Sequence, residues 1–513
     1  MASICDVFNA EKQETSVQWA RSVAKAELGR CLLDGDRPAF HRWGKTRGLQ
    51  GNAMETGQLS LADIDALIDD RPQDGAFRVS RAAVREEAIF DLEMRHIFES
   101  SWVFLGLACQ IPNPHDFFTT RIGRQPVIVS RDGAGRIRCF INSCRHRGAM
   151  VCHRAAGNAK RHACQYHGWV YDSSGACVDV KDEKQGAYTQ AFLSEDHGLA
   201  PVRLGDYRGF LFGALNHDGR PHDVPAIEDH LGDVRMMLDL IVDQSPEGLE
   251  VVPGVVRYTY DGNWKLQLEN GTDPYHFTST HPSYMQILGE RGKQAASGGH
   301  TSIYQNFNQK SISRGAFCFP NGHAAIWGET PSSDARPIFR RLAEITQRLG
   351  EARAKWMLYT RNLSIFPNVQ FAENAALQMR IWRPLSAGKT EMTTFCLAPK
   401  GEDRAARAVR IRQYEEFFNP SGLATPDDAN AYEDCQAGNV TGAINFHQGY
   451  ARGMAAVRRG GDEHAAELGM NPSTSIVGAF EMGDETVFHE TYRTWRNLLR
   501  EGLERDLVVG ART

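Results

Sequence analysis

The sequence has no long apolar run and no excess of basic residues. No segment approaches the roughly 20 consecutive apolar residues that a membrane-spanning helix needs, and the N-terminal segment lacks the apolar stretch of a secretory signal. The formal net charge is -5, whereas nucleic acids and anionic membranes are bound by basic surfaces. We therefore expect a cytoplasmic protein that binds neither nucleic acid nor a membrane.

The sequence also lacks a disulfide framework, an internal repeat and a glycine-rich phosphate loop. Its 11 cysteines are an odd number without regular spacing, which favours reduced thiols or metal ligands over disulfides. Without a phosphate loop after a strand, nucleotide binding by this chain has no support. The chain is long, and 513 residues predict about two to four domains. It also has a crowd of cysteines and histidines between residues 139 and 177.

The pattern of apolar residues divides the chain into parts with different predicted secondary structure. Residues 1–58 contain no motif and are predicted to form an extension of unknown role, whereas Ser60 and Asp63 offer a capping pair for a short helix. From about 101 to 221, short apolar runs alternate with turn signals such as RDGAGR and YDSSGA, which predict the hairpins of a small antiparallel β domain. Later segments mix strand patterns with amphipathic helices such as 404–418, which predicts an α+β domain.

Four residues of metal-ligand type lie in two turn segments of the predicted β domain. Cys144 and His146 belong to the run CRHRG, and Cys164 and His167 belong to the run CQYHGW. Two thiolates and two imidazoles suit either a structural zinc ion or a [2Fe–2S] cluster in which two histidines replace two cysteines on one iron. Zinc modules more often pair cysteine with cysteine and histidine with histidine, whereas each segment here gives one of each. The pattern therefore favours an iron–sulfur cluster that transfers electrons.

A second candidate metal site lies in the run NWKLQLENGTDPYHFTSTHPSY, residues 263–284. His276 and His281 are five residues apart, so they converge only if the helix breaks or is distorted between them. Two histidines and one carboxylate on one side of Fe(II) leave positions open for O2 and for substrate. A histidine pair by itself is more often structural than metal-binding. The residues around the pair must therefore distinguish the two interpretations.

The carboxylate that would complete this second site comes from elsewhere in the chain, and Asp427 and Asp428 are the candidates. They follow Thr425 and Pro426, which together form a typical helix start with Thr425 as the N-cap and acidic residues in the first turn. One aspartate is therefore expected to cap the helix while the other binds the metal.

Both groups of residues resemble the motifs of one known family. The runs CRHRG and CQYHGW resemble the Rieske motif of the large subunits of aromatic-ring-hydroxylating oxygenases, and residues 263–284 resemble the catalytic segment of the same family. The resemblance implies a Rieske [2Fe–2S] cluster and a mononuclear Fe(II). It implies as cluster ligands Cys144, His146, Cys164 and His167, and as iron ligands His276, His281 and Asp428.

The resemblance also implies roles for residues beside the ligands. Asp273 matches the carboxylate that links the Rieske histidine of one subunit, here His167, to an iron-ligand histidine of its neighbour, here His276. A carboxylate that accepts the free N–H of a ligand histidine fixes its tautomer and raises its basicity. Asn270 and Phe277, next to ligands in the sequence, are candidates for the wall of the substrate site, with packing in the core as the equal alternative, and Asn270 is counted with Asp273 among the catalytic residues. Three other aromatic residues are expected in the core: Phe366, Phe417 and Phe418.

Further segments resemble one branch of the family, the large subunits of the benzoate, anthranilate and 2-halobenzoate dioxygenases. They include DDRPQDGAFRV at 69–79 and RQYEEFFNPSGLATPDDA at 412–429. The resemblance implies addition of both atoms of O2 to the ring of an aromatic carboxylate, which gives a cis-diol or a catechol. It implies electrons from NADH through a separate flavin and iron–sulfur reductase, a small β subunit and an (αβ)3 assembly. The alternatives are a monooxygenase, such as a salicylate hydroxylase or a demethylase, and a non-catalytic Rieske electron carrier.

The expected fold is α+β. A small all-β Rieske domain is joined to a larger catalytic domain with an antiparallel sheet covered by helices, of the helix-grip or START-like type. The predicted divisions are an extension at 1–58, a segment at 59–100 that packs with the catalytic domain, the Rieske domain at 101–221 and the catalytic domain at 222–513.

Overall fold

The structure of the protein is a computed structural model, and the predicted extension at 1–58 lies outside the residues that it describes. All described residues belong to one compact unit, Met54–Thr513. Within them, no helix is both long enough and apolar enough to cross a membrane. The described residues are 59–217, 220–221, 224–295, 313–330, 333–374, 376–478 and 483–510.

Residues 59–100 form short helices and a strand pair that pack on the C-terminal part of the chain. The first helix starts at the predicted cap, where the Ser60 hydroxyl accepts the Asp63 N–H and the Asp63 carboxylate accepts the Ser60 N–H. Ile64 shares an apolar core with Trp495, and the strand Ala76–Ser80 pairs with a strand near residue 446. The helical pieces are Leu61–Asp65, Ala82–Arg85, Glu87–Glu93 and Met94–Phe98, and the strands are Ile68–Arg71 and Ala76–Ser80.

A buried ion pair joins this segment to the rest of the protein. The Glu93 carboxylate accepts hydrogen bonds from the Lys265 ammonium group and from the indole N–H groups of Trp264 and Trp495. The side chains of Glu93 and Lys265 are each 1% exposed. A buried ion pair is costly to break from one side, because the remaining charge is left without its partner. The network therefore fixes the helix Trp264–Asn270, which directly precedes the second candidate metal site in the chain.

Short antiparallel strands form the small β domain that the turn signals predict. Hairpins connect its strands across residues 132–136 and 173–176, as expected from RDGAGR and YDSSGA. The strands form one sheet of four and two sheets of three. Their bounds are Val103–Leu107, Asp116–Ile122, Gln125–Arg131, Ile137–Ile141, Ala156–Asn158, Arg161–Ala163, Val170–Asp172, Cys177–Asp179, Arg203–Tyr207 and Phe210–Ala214.

A nine-stranded antiparallel sheet is the framework of the larger part of the protein. Neighbouring residues of a strand point to opposite faces of a sheet. Phe317 therefore packs in one apolar core while Ala316 and Cys318 pack in another on the opposite face. In spatial order the strands are Leu249–Tyr260, Lys389–Pro399, Leu377–Ser386, Val369–Glu373, Thr360–Ile365, Ala324–Gly328, Arg314–Cys318, Thr474–Val477 and Arg458–Arg459.

Helices cover both faces of this sheet, which gives the predicted α+β architecture. On the face that includes Phe317, helices contribute Leu238 and Trp356 to the apolar core. On the opposite face, other helices contribute Tyr432 and Trp495. The predicted amphipathic helix at 404–418 is present and is capped by the Asp403 carboxylate. The helices are Ile227–Leu231, Arg235–Val242, Trp264–Asn270, Phe277–Thr280, Pro282–Ala295, Leu342–Leu349, Glu351–Leu358, Arg404–Phe417, Thr425–Gly438, Glu463–Glu467 and His489–Gly510.

Candidate active site

Two loops of the small β domain carry the first four predicted ligands, and the two loops have the same geometry. In each, the cysteine carbonyl accepts a hydrogen bond from a glycine N–H four residues later, from Gly148 to Cys144 at 2.8 Å and from Gly168 to Cys164 at 2.9 Å. Both glycines have positive φ, 77° and 75°, a conformation that residues with a Cβ rarely adopt. The loops therefore present one cysteine each at equivalent positions.

The two predicted histidine ligands meet between these loops, and the two predicted cysteine ligands are buried on the same loops. Cys144 and Cys164 are buried, and the rings of His146 and His167 lie 4.4 Å apart. The hydroxyl of Tyr171 lies 3.2 Å from Cys144 Sγ. The donor set is thus two buried sulfurs with two imidazoles beside them.

This donor set fits a mixed-ligand [2Fe–2S] cluster. Nδ1 of His146 is buried and has no hydrogen-bond partner among the described residues, and buried polar atoms in folded proteins nearly always have one. A metal bound at that nitrogen would satisfy it. The imidazole of His146 stacks on the indole of Trp169 with ring centroids 5.2 Å apart, which holds the ring in a fixed orientation.

The structure brings His276, His281 and Asp428 together in the larger domain. One ligand atom from each of the three lies within 4.8 Å of the other two. Asp428 Oδ1 is 3.5 Å from His276 Nε2 and 3.2 Å from His281 Nε2. Two imidazoles and one carboxylate facing a common point form the donor set of a non-haem Fe(II) site with open positions.

Local backbone geometry explains how residues so far apart in sequence converge. The helix Phe277–Thr280 ends at His281, whose φ of -113° and ψ of 45° break the helix before the next one begins at Pro282. This is the break that the five-residue spacing of the histidines requires. Asp428 lies in the first turn of the helix Thr425–Gly438.

The start of that last helix corrects one expectation from the sequence. Its N-cap is Ala424, not Thr425, and no side chain caps it. The carboxylate of Asp427 is instead 3.2 Å from His281 Nδ1, where an imidazole N–H competes successfully with the helix N-terminus for the carboxylate. One aspartate was expected to cap and the other to face the metal, but both are turned toward the histidines.

Each histidine therefore lies between two carboxylates. Asp273 Oδ2 is 3.3 Å from His276 Nδ1, just as Asp427 is close to Nδ1 of His281. With each Nδ1–H donated outward, each Nε2 atom is directed toward Asp428. Carboxylates in this outer position fix the tautomer of a ligand histidine and raise its basicity.

The charges of the site favour a cation. Burial lowers the pKa of His276, but its contacts with Asp273 and Asp428 outweigh burial and raise the pKa to about 10. Burial raises the pKa of Asp428, but hydrogen bonds from His276 and His281 outweigh it and hold that pKa well below its usual range. In the protein without metal, a proton on His276 offsets part of the carboxylate charge. A divalent cation at the common point would take over that role.

Asn270 contacts two of the three candidate ligands. Its side-chain amide lies 3.1 Å from His276 Nε2 and donates to Asp428 Oδ1 at 3.1 Å. The amide is placed there by the helix Trp264–Asn270, of which it is the last residue.

A cavity opens beside these side chains, between the nine-stranded sheet and the helices that carry the histidines. Asn270 and Phe277 both line it. Phe417 lies in an apolar core, as the sequence predicted, and it lines the cavity as well. The ring of Phe417 is buried, yet its centroid is 6.3 Å from that of His281, because the helix Arg404–Phe417 ends above the histidines. Further apolar walls come from the sheet: Ile326, Trp327 and Ile476.

Two family models match the chain in the regions that hold the two groups of ligands. The Rieske [2Fe-2S] domain matches residues 101–194. The catalytic domain of the ring-hydroxylating alpha subunit matches residues 250–467. Together the matches contain all the candidate ligands.

Comparison with curated proteins and solved structures gives relatives over most of the chain. The subunit alpha of toluate 1,2-dioxygenase from Pseudomonas putida is 39% identical, with 88% of this chain and 97% of the relative covered. The large subunit of 2-halobenzoate 1,2-dioxygenase from Burkholderia cepacia is also 39% identical, with 87% and 94% covered. The crystal structure of naphthalene 1,2-dioxygenase from Rhodococcus sp. bound to indole superposes with a TM-score of 0.71 at 26% identity, with 86% and 96% covered.

Proposed function

The chain belongs to the family of ring-hydroxylating dioxygenase alpha subunits, and from that membership we propose that it dihydroxylates the ring of an aromatic carboxylate. The family consists of oxidoreductases, and the chain is the large subunit of a terminal oxygenase. The observation that carries the proposal is that His276, His281 and Asp428 converge at the wall of a largely apolar cavity. An electron carrier would need no such second centre. The relatives are named for toluate and 2-halobenzoate, which favours a carboxylate substrate.

The family uses a Rieske [2Fe–2S] cluster and a mononuclear non-haem iron, with O2 as co-substrate and NADH through a reductase. These groups supply single-electron transfer and O2 chemistry. We assign the iron to His276, His281 and Asp428, because both Nε2 atoms face Asp428 whereas Asp427 faces only the Nδ1 of one histidine. We assign the cluster to Cys144, His146, Cys164 and His167.

The remaining residues of the site orient the ligands and hold the ring. Asp273 and Asp427 accept the Nδ1–H groups of the two histidines, which leaves both Nε2 atoms to bind the metal. Asn270 donates to Asp428 and fixes one carboxylate oxygen. Phe277 and Phe417 form apolar walls against which an aromatic ring can lie while water is kept out.

We propose that Asp273 also connects subunits, in an (αβ)3 assembly in the cytoplasm. Members of the family work with a reductase and usually with a β subunit. Support for subunit contact comes from the surface of this chain. Tyr166, next to His167 in the cluster loop, is 61% exposed, and Tyr275, next to His276, is 47% exposed. Exposed aromatic residues beside both candidate metal centres fit surfaces that dock against another subunit.

Metal analysis and substrate turnover test this function together. The chain is purified with its β subunit and assayed with a reductase, NADH and O2 on benzoate, anthranilate, 2-chlorobenzoate and salicylate. We expect about three irons per chain, two from the cluster and one mononuclear, and a cis-diol or catechol from at least one of the acids. About two irons per chain without turnover would instead indicate an electron carrier.

A further inference from the structure

Three arginines line the cavity beside the candidate iron site. They are Arg314, Arg361 and Arg380. Arg361 forms a buried ion pair with Glu373, whose carboxylate is also bound by Arg336. Arg361 therefore already has a carboxylate counter-ion, which it shares with Arg336.

Arg380 lies in the strand Leu377–Ser386 and is 8% exposed. Its Nε donates to the neutral side chain of Gln378, and its guanidinium lies 5.2 Å from the ring centroid of Phe418. No carboxylate oxygen of the described residues lies within 4.0 Å of it. The buried guanidinium of Arg380 thus contacts an aromatic ring and an amide, and it has no counter-ion among the described residues.

Arg380 is also close to the candidate iron site. Burial raises the pKa of Tyr258 to about 12, and the charges of Arg380 and Asp428 act on it in opposite directions. The two charged groups therefore both lie near the same phenol. Phe418, under the guanidinium, contacts Phe417, which in turn faces His281 across the cavity.

A buried guanidinium is stabilised by an anion that completes its hydrogen bonds. Guanidinium has five N–H donors in a planar fork that matches a carboxylate, and only one of those of Arg380 has a described acceptor. A charge left alone in a low-dielectric interior is costly, and the cavity gives an anionic ligand access to it.

We propose that Arg380 binds the carboxylate of the aromatic substrate and so fixes which ring carbons face the candidate iron site. This inference rests on the proposed function. Arg380 is then a specificity-determining residue. The apolar walls alone could not fix the orientation of the substrate, because they hold an aromatic ring equally well in several rotations about its axis. The carboxylate would replace the missing counter-ion at one end of the cavity while the ring lies against the wall that Phe277 and Phe417 form.

The test compares acid and uncharged ligands in the holoenzyme with its β subunit. Dissociation constants for benzoate and benzamide are measured by calorimetry, and KM and kcat by O2 consumption, for the wild type, Arg380→Gln and Arg380→Lys. Arg383→Gln is the matched control, since Arg383 lies on the same strand but is paired with Glu391. Iron content and circular dichroism verify that each variant is folded and loaded.

We expect Arg380→Gln to weaken benzoate binding roughly 10- to 100-fold, with benzamide binding little changed, and Arg380→Lys to fall between. Arg383→Gln should bind benzoate like the wild type. An iron-loaded Arg380→Gln variant with wild-type affinity for benzoate would overturn the assignment of Arg380 but not the proposed function. So would loss of benzoate binding in Arg314→Gln but not in Arg380→Gln. A wild type that binds benzamide but no aromatic acid would overturn the proposed substrate class and this inference with it.

Discussion

Replacing Asp428 with asparagine should remove the mononuclear iron and leave the cluster intact. The substitution keeps the size of the side chain but replaces the carboxylate, whose Oδ1 lies 3.5 Å and 3.2 Å from the two histidine Nε2 atoms, with a neutral amide that is a poor iron ligand. Only two protein ligands then remain. The cluster ligands are in a different domain, more than 250 residues earlier in the sequence, so the cluster serves as an internal standard.

Asp427→Asn is the matched control for this substitution, because Asp427 contacts the other nitrogen of His281. Loss of such an outer carboxylate typically weakens metal binding 10- to 100-fold, or about 1.4–2.7 kcal/mol. Asp427→Asn should therefore bind iron at saturating Fe(II) but lose it to a chelator at lower concentration than the wild type does.

Iron is measured by mass spectrometry after dialysis against graded chelator, and the cluster by its visible absorption. The expected values are about two irons per chain for Asp428→Asn and about three for Asp427→Asn at saturation. If Asp428→Asn kept the third iron and Asp427→Asn lost it, the two aspartates would have exchanged roles and the geometric argument would be wrong.

Three further predictions concern other parts of the molecule. Asp273→Asn should keep both metal centres but slow cluster reoxidation by substrate and O2 roughly 10- to 100-fold; an unchanged rate in stopped flow would refute the bridge. Glu93→Gln should lower the free energy of unfolding by about 3–5 kcal/mol, because Lys265 is left buried without its partner, whereas the surface variant Glu391→Gln should cost less than about 1 kcal/mol in the same denaturant titration. Burial raises the pKa of Glu269 to about 7, so its folded state holds a proton that the unfolded chain releases, and its contribution to stability is lost as pH rises through about 7. Glu269→Gln should therefore raise Tm relative to the wild type at pH 8 but not at pH 5, and equal differences at both pH values would contradict this.

The ligand groups could be predicted from the sequence because their members are close together in it. Cys144 with His146, and Cys164 with His167, each lie on one tight loop, so their spacing is nearly the geometry itself. The helix break at His281 followed from the same local reasoning. Asp428 is 147 residues beyond His281, and only the resemblance to a family favoured it over Asp427.

The walls of the cavity and the partners of Asp427 could not be predicted. Arg380 comes from the third strand in spatial order of the nine-stranded sheet, and its lack of a described counter-ion depends on every element around it. The role of Asp427 was missed because a Pro-Asp-Asp helix start is locally sufficient to explain an acidic residue. Phe417 lies in the core as predicted, but its second position in the cavity wall could not be predicted, because burial and cavity lining look alike in sequence when the wall is apolar.

Isotope labelling of the product tests the central claim most directly. The reconstituted enzyme is supplied with NADH, its reductase and benzoate under ¹⁸O2, and the ring product is analysed by mass spectrometry before any dehydrogenation. Dihydroxylation predicts two labelled oxygen atoms on adjacent ring carbons of each product molecule, in addition to the unlabelled carboxylate. A product with a single labelled oxygen would contradict it and would make the chain part of a monooxygenase.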